Sequence, residues 1–136
     1  MRYLLDTHVL LWAIGGSKRL PKEARELLMD PDHTFYYSGV SVWEVVIKHG
    51  VHPDEFRITG KEFADYCKEA GYVCMNIAEE HILMSETLKV AKGEKPHADP
   101  FDRMLIAQAK AEKIVLLTKD VKMQYYHEPC VRYLNG

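Results

Sequence analysis

Along this chain, short apolar runs that stop at an acid or a turn alternate with longer helix-patterned stretches. That alternation constrains the fold more than any other feature, because strands separated by helices build a layered sheet with parallel pairing. Tyr3–Leu5 is a dense run of the kind buried on both faces. Thr7 is placed to cap the helix that follows, whose residues Val9, Leu10, Leu11, Trp12 and Ile14 surround most of its circumference before Gly15–Gly16 ends it. A basic loop, Ser17–Lys18–Arg19, leads to Pro21 at the start of a second helix, which Pro31 prevents from continuing. Thr34–Tyr37 is β-branched and aromatic, hence a strand, with Ser38–Gly39 expected to turn it.

Ser41 and Glu44 have the spacing of a capping box opening the next helix. Residues 51–60 read as a loop, Lys61–Ala70 as a helix, Tyr72–Ile77 as a third strand and Glu79–Val90 as a helix. Lys92–Ala98 is the most loop-like piece of the chain. Asp99 then serves as N-cap and Pro100 as first residue of the helix DPFDRMLIAQAKAEK. Ile114–Leu117 is the fourth strand, and Val131–Leu134 supplies a short last one. The expected fold is an α/β/α sandwich with a mostly parallel central sheet, formed by residues 1–136 as a single domain.

Four acids recur at the handover points. Asp6 and Asp120 follow strands; Glu44 and Asp102 sit three residues inside helical patterns. In a parallel sheet with helical crossovers, strand ends and helix starts share one edge, where ligands bind. Acids crowded there raise one another's pKa unless a cation neutralises them, and hard oxygen ligands suit Mg²⁺ or Mn²⁺. Each acid also has a structural reading of its own. Glu44 completes a capping box, Asp102 favours a helix dipole, and aspartates form turns. The conjunction of four on one edge is what points to a metal site.

Composition excludes some classes. A net charge of −2 offers no basic excess, which argues weakly against a nucleic-acid partner and leaves room for a basic rim. Cys67, Cys74 and Cys130 are odd in number, lack metal-site spacing, and read as reduced thiols. Asp6 interrupts the first apolar run, and no stretch approaches a membrane span, so a cytoplasmic protein without membrane contact is expected. No His-Glu-x-x-His zinc motif occurs among the histidines, and His97 is expected at the surface near the acids. Trp12, Trp43 and Phe101 read as core stripes.

The stretches LLDTHVLLWA (4–13), SVWEVVIK (41–48), EAGYVCMNIAEEH (69–81), DPFDRMLIAQA (99–109) and IVLLTKD (114–120) together resemble a PIN domain. Within that family the chain resembles the VapC-type toxins of bacterial toxin–antitoxin pairs. The resemblance implies a metal-dependent endoribonuclease in which Asp6, Glu44 and Asp102 form the acidic triad and Asp120 the more variable fourth acid. Thr7 and Thr118 lie beside these acids, and Asp99 is a frequent companion that the helix needs as a cap in any case. Arg103 adjoins Asp102, Lys119 adjoins Asp120 and Lys48 stands one helical turn after Glu44, and these three are candidate RNA contacts. The resemblance further implies Mg²⁺ or Mn²⁺ as cofactor, an RNA substrate, a homodimer and an antitoxin partner. An apolar surface on the first two helices, with Trp12, Leu20, Leu27, Leu28 and Met29, is the expected antitoxin groove.

Competing readings are an RNA-processing or DNA nuclease of the same fold outside any toxin pair, and an inactive PIN domain that binds RNA or a partner. A phosphatase of the haloacid dehalogenase type would want a second Asp two residues after the first, where His8 stands.

Overall fold

The computed structural model describes residues 1–90 and 99–136. The elements run β1 (Arg2–Leu5), α1 (Thr7–Ile14), α2 (Lys22–Leu28), β2 (Thr34–Ser38), α3 (Gly39–Val51), α4 (Gly60–Glu69), β3 (Val73–Met75) and α5 (Glu79–Met84). A 3₁₀ turn, Ser85–Thr87, follows, then α6 (Pro100–Glu112), β4 (Val115–Thr118), a 3₁₀ helix Val121–Tyr126 and β5 (Val131–Tyr133). The five strands form one sheet in the order β3-β2-β1-β4-β5, and every neighbouring pair is parallel.

Helices cover both faces, which explains why the central strands read as continuous apolar runs. Tyr3 and Leu5 of β1, Phe35 and Tyr37 of β2 and Leu117 of β4 pack on one side with Val9 and Leu10, Ala24, Val45, Phe63 and Cys67 from α1 to α4. Leu4 and Leu116 point the other way, into α6 through Leu105, Ile106 and Ala109, with Met123 and Tyr126 closing the layer. Alternate residues of one strand thus serve opposite cores, as strand geometry requires. A Cβ at Gly60 would collide with a Val46 methyl, so glycine is what permits α4 to approach α3 so closely. The result is the three-layer sandwich expected from the sequence, with a sheet that is parallel throughout.

Strand order fixes where a ligand can bind. From β1 the chain proceeds outward through β2 and β3, then returns to the opposite side of β1 as β4. Loops leaving β1 and β4 therefore diverge, opening a crevice at the carboxyl ends of these two strands.

Several element boundaries differ from the sequence expectation. Ser38–Gly39 does not turn the chain out of β2; Ser38 Oγ accepts from Val40 N at 2.9 Å and caps α3, which starts at Gly39. Ser41 and Glu44 consequently lie inside the helix and form no capping box, while Thr59 and Glu62 at the start of α4 do. Thr7 is the first residue of α1, and Asp6 is its N-cap. The expected helix 79–90 stops at Met84, where the hydroxyls of Ser85 and Thr87 donate to the carbonyls of Ile82 and Met84 and compete with the helical ladder. The loop expected at Lys92–Ala98, with His97, lies outside the described residues.

Candidate metal centre at the strand edge

Asp6 leaves β1 at the crevice, its N–H donating to Leu117 O across the β1–β4 pair at 3.0 Å. Its carboxylate is held at both oxygens: Oδ1 accepts from Thr7 N at 2.7 Å and Oδ2 from Thr118 Oγ1 at 2.7 Å. Thr118, the last residue of β4, accepts in turn from Asp120 N at 3.0 Å. One threonine thus fixes the Asp6 side chain and the backbone at Asp120. Asp120 Oδ1 accepts from Lys122 N and caps the 3₁₀ helix that follows.

Glu44 comes from α3, one turn deeper than a capping box would place it. Thr7 Oγ1 lies 2.8 Å from both Glu44 Oε1 and Ser41 Oγ. With one proton to give, Thr7 donates to the carboxylate and accepts from Ser41. Glu44 Oε2 accepts from Lys48 Nζ at 2.6 Å, an i, i+4 ion pair whose acid is buried. Asp102 stands in the first turn of α6, also buried. Asp99 Oδ1 accepts from Phe101 N at 2.9 Å and Asp102 N at 3.3 Å, so Asp99 caps the helix as the sequence reading expected.

Electrostatics show that these acids share a neighbourhood. Burial pushes the Asp102 carboxyl up to about 8, with the charges of Asp6, Asp99, Asp120 and Glu44 adding to the shift. Burial likewise raises Asp6 to about 6; the bonds from Thr118 and Thr7 and the nearby His8 oppose this, and Glu44 adds to it. Two hydrogen bonds to Asp6 do not outweigh its desolvation. Asp102 therefore holds a proton at neutral pH when no cation is present. The donor set is oxygen throughout, and a divalent cation would offset both the burial and the mutual repulsion that raise these groups. The residues fit a hard ion such as Mg²⁺ or Mn²⁺.

A second cluster competes for the same description. The ligating atoms of Glu80, His81 and Glu112 lie within 4.8 Å of one another. Glu112 is ten residues along α6 from Asp102, a helix rise of about 15 Å. His81 Nδ1 accepts from Ala78 N at 2.9 Å, so its proton is on Nε2 and goes to Glu112 Oε2, also at 2.9 Å. A metal on Nε2 would require an imidazolate. This trio ties α5 to α6 and is the poorer metal site of the two.

The three cations named from the sequence are engaged within the fold. Lys48 pairs with Glu44. Arg103 donates to Ser85 O at 3.0 Å and stacks over Tyr126. Lys119 donates to Leu134 O at 2.9 Å and lies over Tyr133. Trp43 is not a core residue: it is 55% exposed and meets Phe101 edge-on at 5.1 Å. The surrounding run is apolar on every side of α3, so periodicity could not say which face was outermost. Sequence reasoning also missed that His8 and Trp12 line a cleft beside Asp6 and Asp120. Their i, i+4 spacing on a helix starting directly after Asp6 was the available signal.

A family model described as PIN domain matches residues 3–128. Among solved structures, the fold is similar to a chain of VapBC2 from Rickettsia felis bound to a DNA fragment from their promoter. The TM-score is 0.70 at 17% identity, covering 99% of this chain and 98% of that one. VapBC-1 from nontypeable Haemophilus influenzae matches with a TM-score of 0.64 at 19% identity, over 99% and 98% of the two chains. A toxin–antitoxin complex from Klebsiella pneumoniae matches at 0.57 and 18% identity, over 96% and 95%. At such identities the likeness is one of fold. No curated protein matches the chain in sequence.

Proposed function

The chain belongs to the PIN domain family, and on that premise we propose that it is a metal-dependent endoribonuclease, the toxin of a toxin–antitoxin pair. The observation that carries the reading is the pair of buried acids Asp6 and Asp102, raised to about 6 and about 8 at the carboxyl ends of the central strands. Carboxylates that resist ionisation without a cation are poised to bind one.

In this reading Asp6, Glu44, Asp102 and Asp120 hold Mg²⁺ or Mn²⁺. When bound, the ion lowers the pKa of an attacking water and stabilises the leaving oxygen of an in-line displacement at phosphorus. The chain's other residues keep these ligands in place. Thr118 aims Asp6 through a 2.7 Å bond. Thr7 holds one oxygen of Glu44 while Lys48 neutralises the other. Asp99 fixes the first turn of α6, and with it Asp102.

An antitoxin partner is supported by the Klebsiella pneumoniae structure, a toxin–antitoxin complex of similar fold. Exposed apolar surface supports protein contacts, in part on the first two helices and also on α3 and α5. Of the first two helices and their flanks, Leu20 is buried, Trp12, Leu27 and Leu28 pack partly against the core, and Met29 is 83% exposed. Trp43, Val46, Ile47 and Val51 are exposed along α3, as are Ile82 and Leu83 on α5. We assign these surfaces to the antitoxin and to a second copy of the chain. Among the described residues no helix is long and apolar enough to cross a membrane.

The test is cleavage of total RNA by the purified protein with Mn²⁺ and with EDTA. Cleavage is expected with metal, none with chelator, and none from a folded Asp6→Asn variant. Undiminished cleavage by that variant would contradict the assignment.

A further inference from the structure

Glu44 enters the acidic cluster with a counter-ion of its own. Its side chain is 6% exposed, and Lys48, one turn further along α3, places Nζ 2.6 Å from Oε2. Exposed i, i+4 pairs of this kind contribute little. Here the acid is buried, and taking the ammonium away would leave a desolvated carboxylate uncompensated. Asp6 is held differently: its bonds from Thr7 N and Thr118 Oγ1 come from neutral donors.

Both ends of the Glu44–Lys48 pair are fixed. Glu44 Oε1 accepts from Thr7 Oγ1 at 2.8 Å. Lys48 Nζ lies 5.7 Å from the centroid of the Phe56 ring. Phe56 packs partly against the core, and its carbonyl accepts from His49 Nδ1 at 2.7 Å. The ammonium is thus held between a carboxylate and an anchored ring.

Two-metal centres for phosphoryl transfer set their ions about 3.5–4 Å apart. A carboxylate that bridges such a pair with its two oxygens cannot also hold an ammonium on one of them. Glu44 Oε1 keeps an acceptor site beyond its bond from Thr7, whereas Oε2 faces Lys48. A second divalent ion near Oε2 would also meet the repulsion of that ammonium.

We infer that Lys48 is a built-in monovalent cation occupying the place of a second metal ion, so that the centre holds one divalent ion tightly. A second ion enters only by displacing Lys48 from Glu44. The inference rests on the metal-centre reading and adds to it the ion count and the residue that sets it. Lys48 acts through Glu44, and is a specificity-determining residue for the metal rather than a catalytic one.

The experiment counts bound Mn²⁺ on the full chain at pH 7, without RNA, from the loss of the free ion's paramagnetic resonance signal. Wild type is expected to bind one ion, with any second at least about 100-fold weaker because of the nearby ammonium. Lys48→Met, close in length and uncharged, should bind two ions with dissociation constants within about tenfold of each other. It should also show the spin coupling of a Mn²⁺ pair, which wild type should lack. Lys48→Arg keeps the charge and should stay at one ion. The double variant Lys48→Met with Glu44→Gln should return to one, because the charge that the second ion needs is gone. Lys48→Gln still donates to Glu44 but carries no charge; it should count like Lys48→Met and takes its place if that variant fails to fold. A wild type that binds no Mn²⁺ overturns the metal-centre reading and this inference with it. Two ions of similar affinity in wild type, or a single ion in either uncharged variant when folded, overturn the role of Lys48 alone.

Discussion

Helix α6 carries two buried polar clusters, one at each end, and they are built on opposite principles. Toward its C-terminus, Gln108 Oε1 accepts from Ser38 Oγ at 2.5 Å, Gln108 Nε2 lies 3.4 Å from His81 Nδ1, and His81 donates to Glu112. Donors meet acceptors along the whole chain of contacts, and the His81 bond holds the Glu112 carboxyl below its usual range. At its N-terminus Asp102 faces other acids, and both it and Asp6 are pushed upward by burial. The first cluster stabilises the fold as it stands. The second is a local conflict that a cation would resolve, and such conflicts are found at functional sites. Proximity of ligand atoms alone selects the C-terminal cluster; the electrostatic conflict selects the N-terminal one.

Substitutions at the two ends should therefore separate activity from stability. Asp102→Asn and Asp6→Asn should lower the rate of RNA cleavage about 100-fold or more, equal to about 2.7 kcal/mol in the barrier, in single-turnover assays on folded protein. His81→Ala should do the reverse. It strands the Ala78 N–H and the Glu112 carboxylate, costs about 1–3 kcal/mol in chemical unfolding, and leaves cleavage unchanged well below the melting temperature. If His81→Ala abolished metal-dependent activity while remaining stable, the comparison would be inverted.

The pH dependence of the metal-free protein sharpens the contrast. Asp102 and Asp6 ionise at higher pH in the folded chain than the ordinary 3.8. Between those values the native state binds more protons than the unfolded state, so its stability falls as pH rises. The loss runs to about pH 6 for Asp6 and to about pH 8 for Asp102. Urea unfolding in EDTA should show greater stability at pH 5 than at pH 8. Asp102→Asn should flatten the upper part of this slope and be more stable than wild type at pH 8, by on the order of 1–3 kcal/mol. A wild-type protein that gains stability between pH 5 and 8 would contradict the raised carboxyls.

The smallest effect is expected at Asp99, whose bonds go to the helix start. Asp99→Ala should cost about 1 kcal/mol in unfolding, the usual worth of a cap, and retain part of the activity. A variant as stable as wild type but inactive would move Asp99 from cap to metal ligand.

Much of this site was legible in the sequence because short-range chemistry determines it. Asp6 ends a run too apolar to be anything but an inner strand, and the Asp99–Pro100 start of α6 carries its own cap and first residue. Tertiary context decided the rest. The spacing of Ser41 and Glu44 matched a capping box, but Ser38 is the better placed cap, and one extra helical turn redirects Glu44 toward Thr7. Trp43 sits in a segment apolar all round, where only packing assigns an outer face. Arg103 and Lys119 adjoin acids in sequence, yet their partners are carbonyls 15 or more residues away, which local reading cannot see, whereas Lys48 pairs with Glu44 one helical turn before it.

Calorimetric titration of Mn²⁺ into the protein at pH 7, in two buffers of different ionisation enthalpy, reports directly on the conflict at Asp102. Because a carboxyl raised to about 8 must lose its proton to become a ligand, binding should release about one proton per site. Asp102→Asn should abolish both the binding and the release, and Glu112→Gln should change neither. Tight Mn²⁺ binding that releases no proton, or that survives in Asp102→Asn and disappears in Glu112→Gln, would contradict the placement of the metal centre at the strand edge.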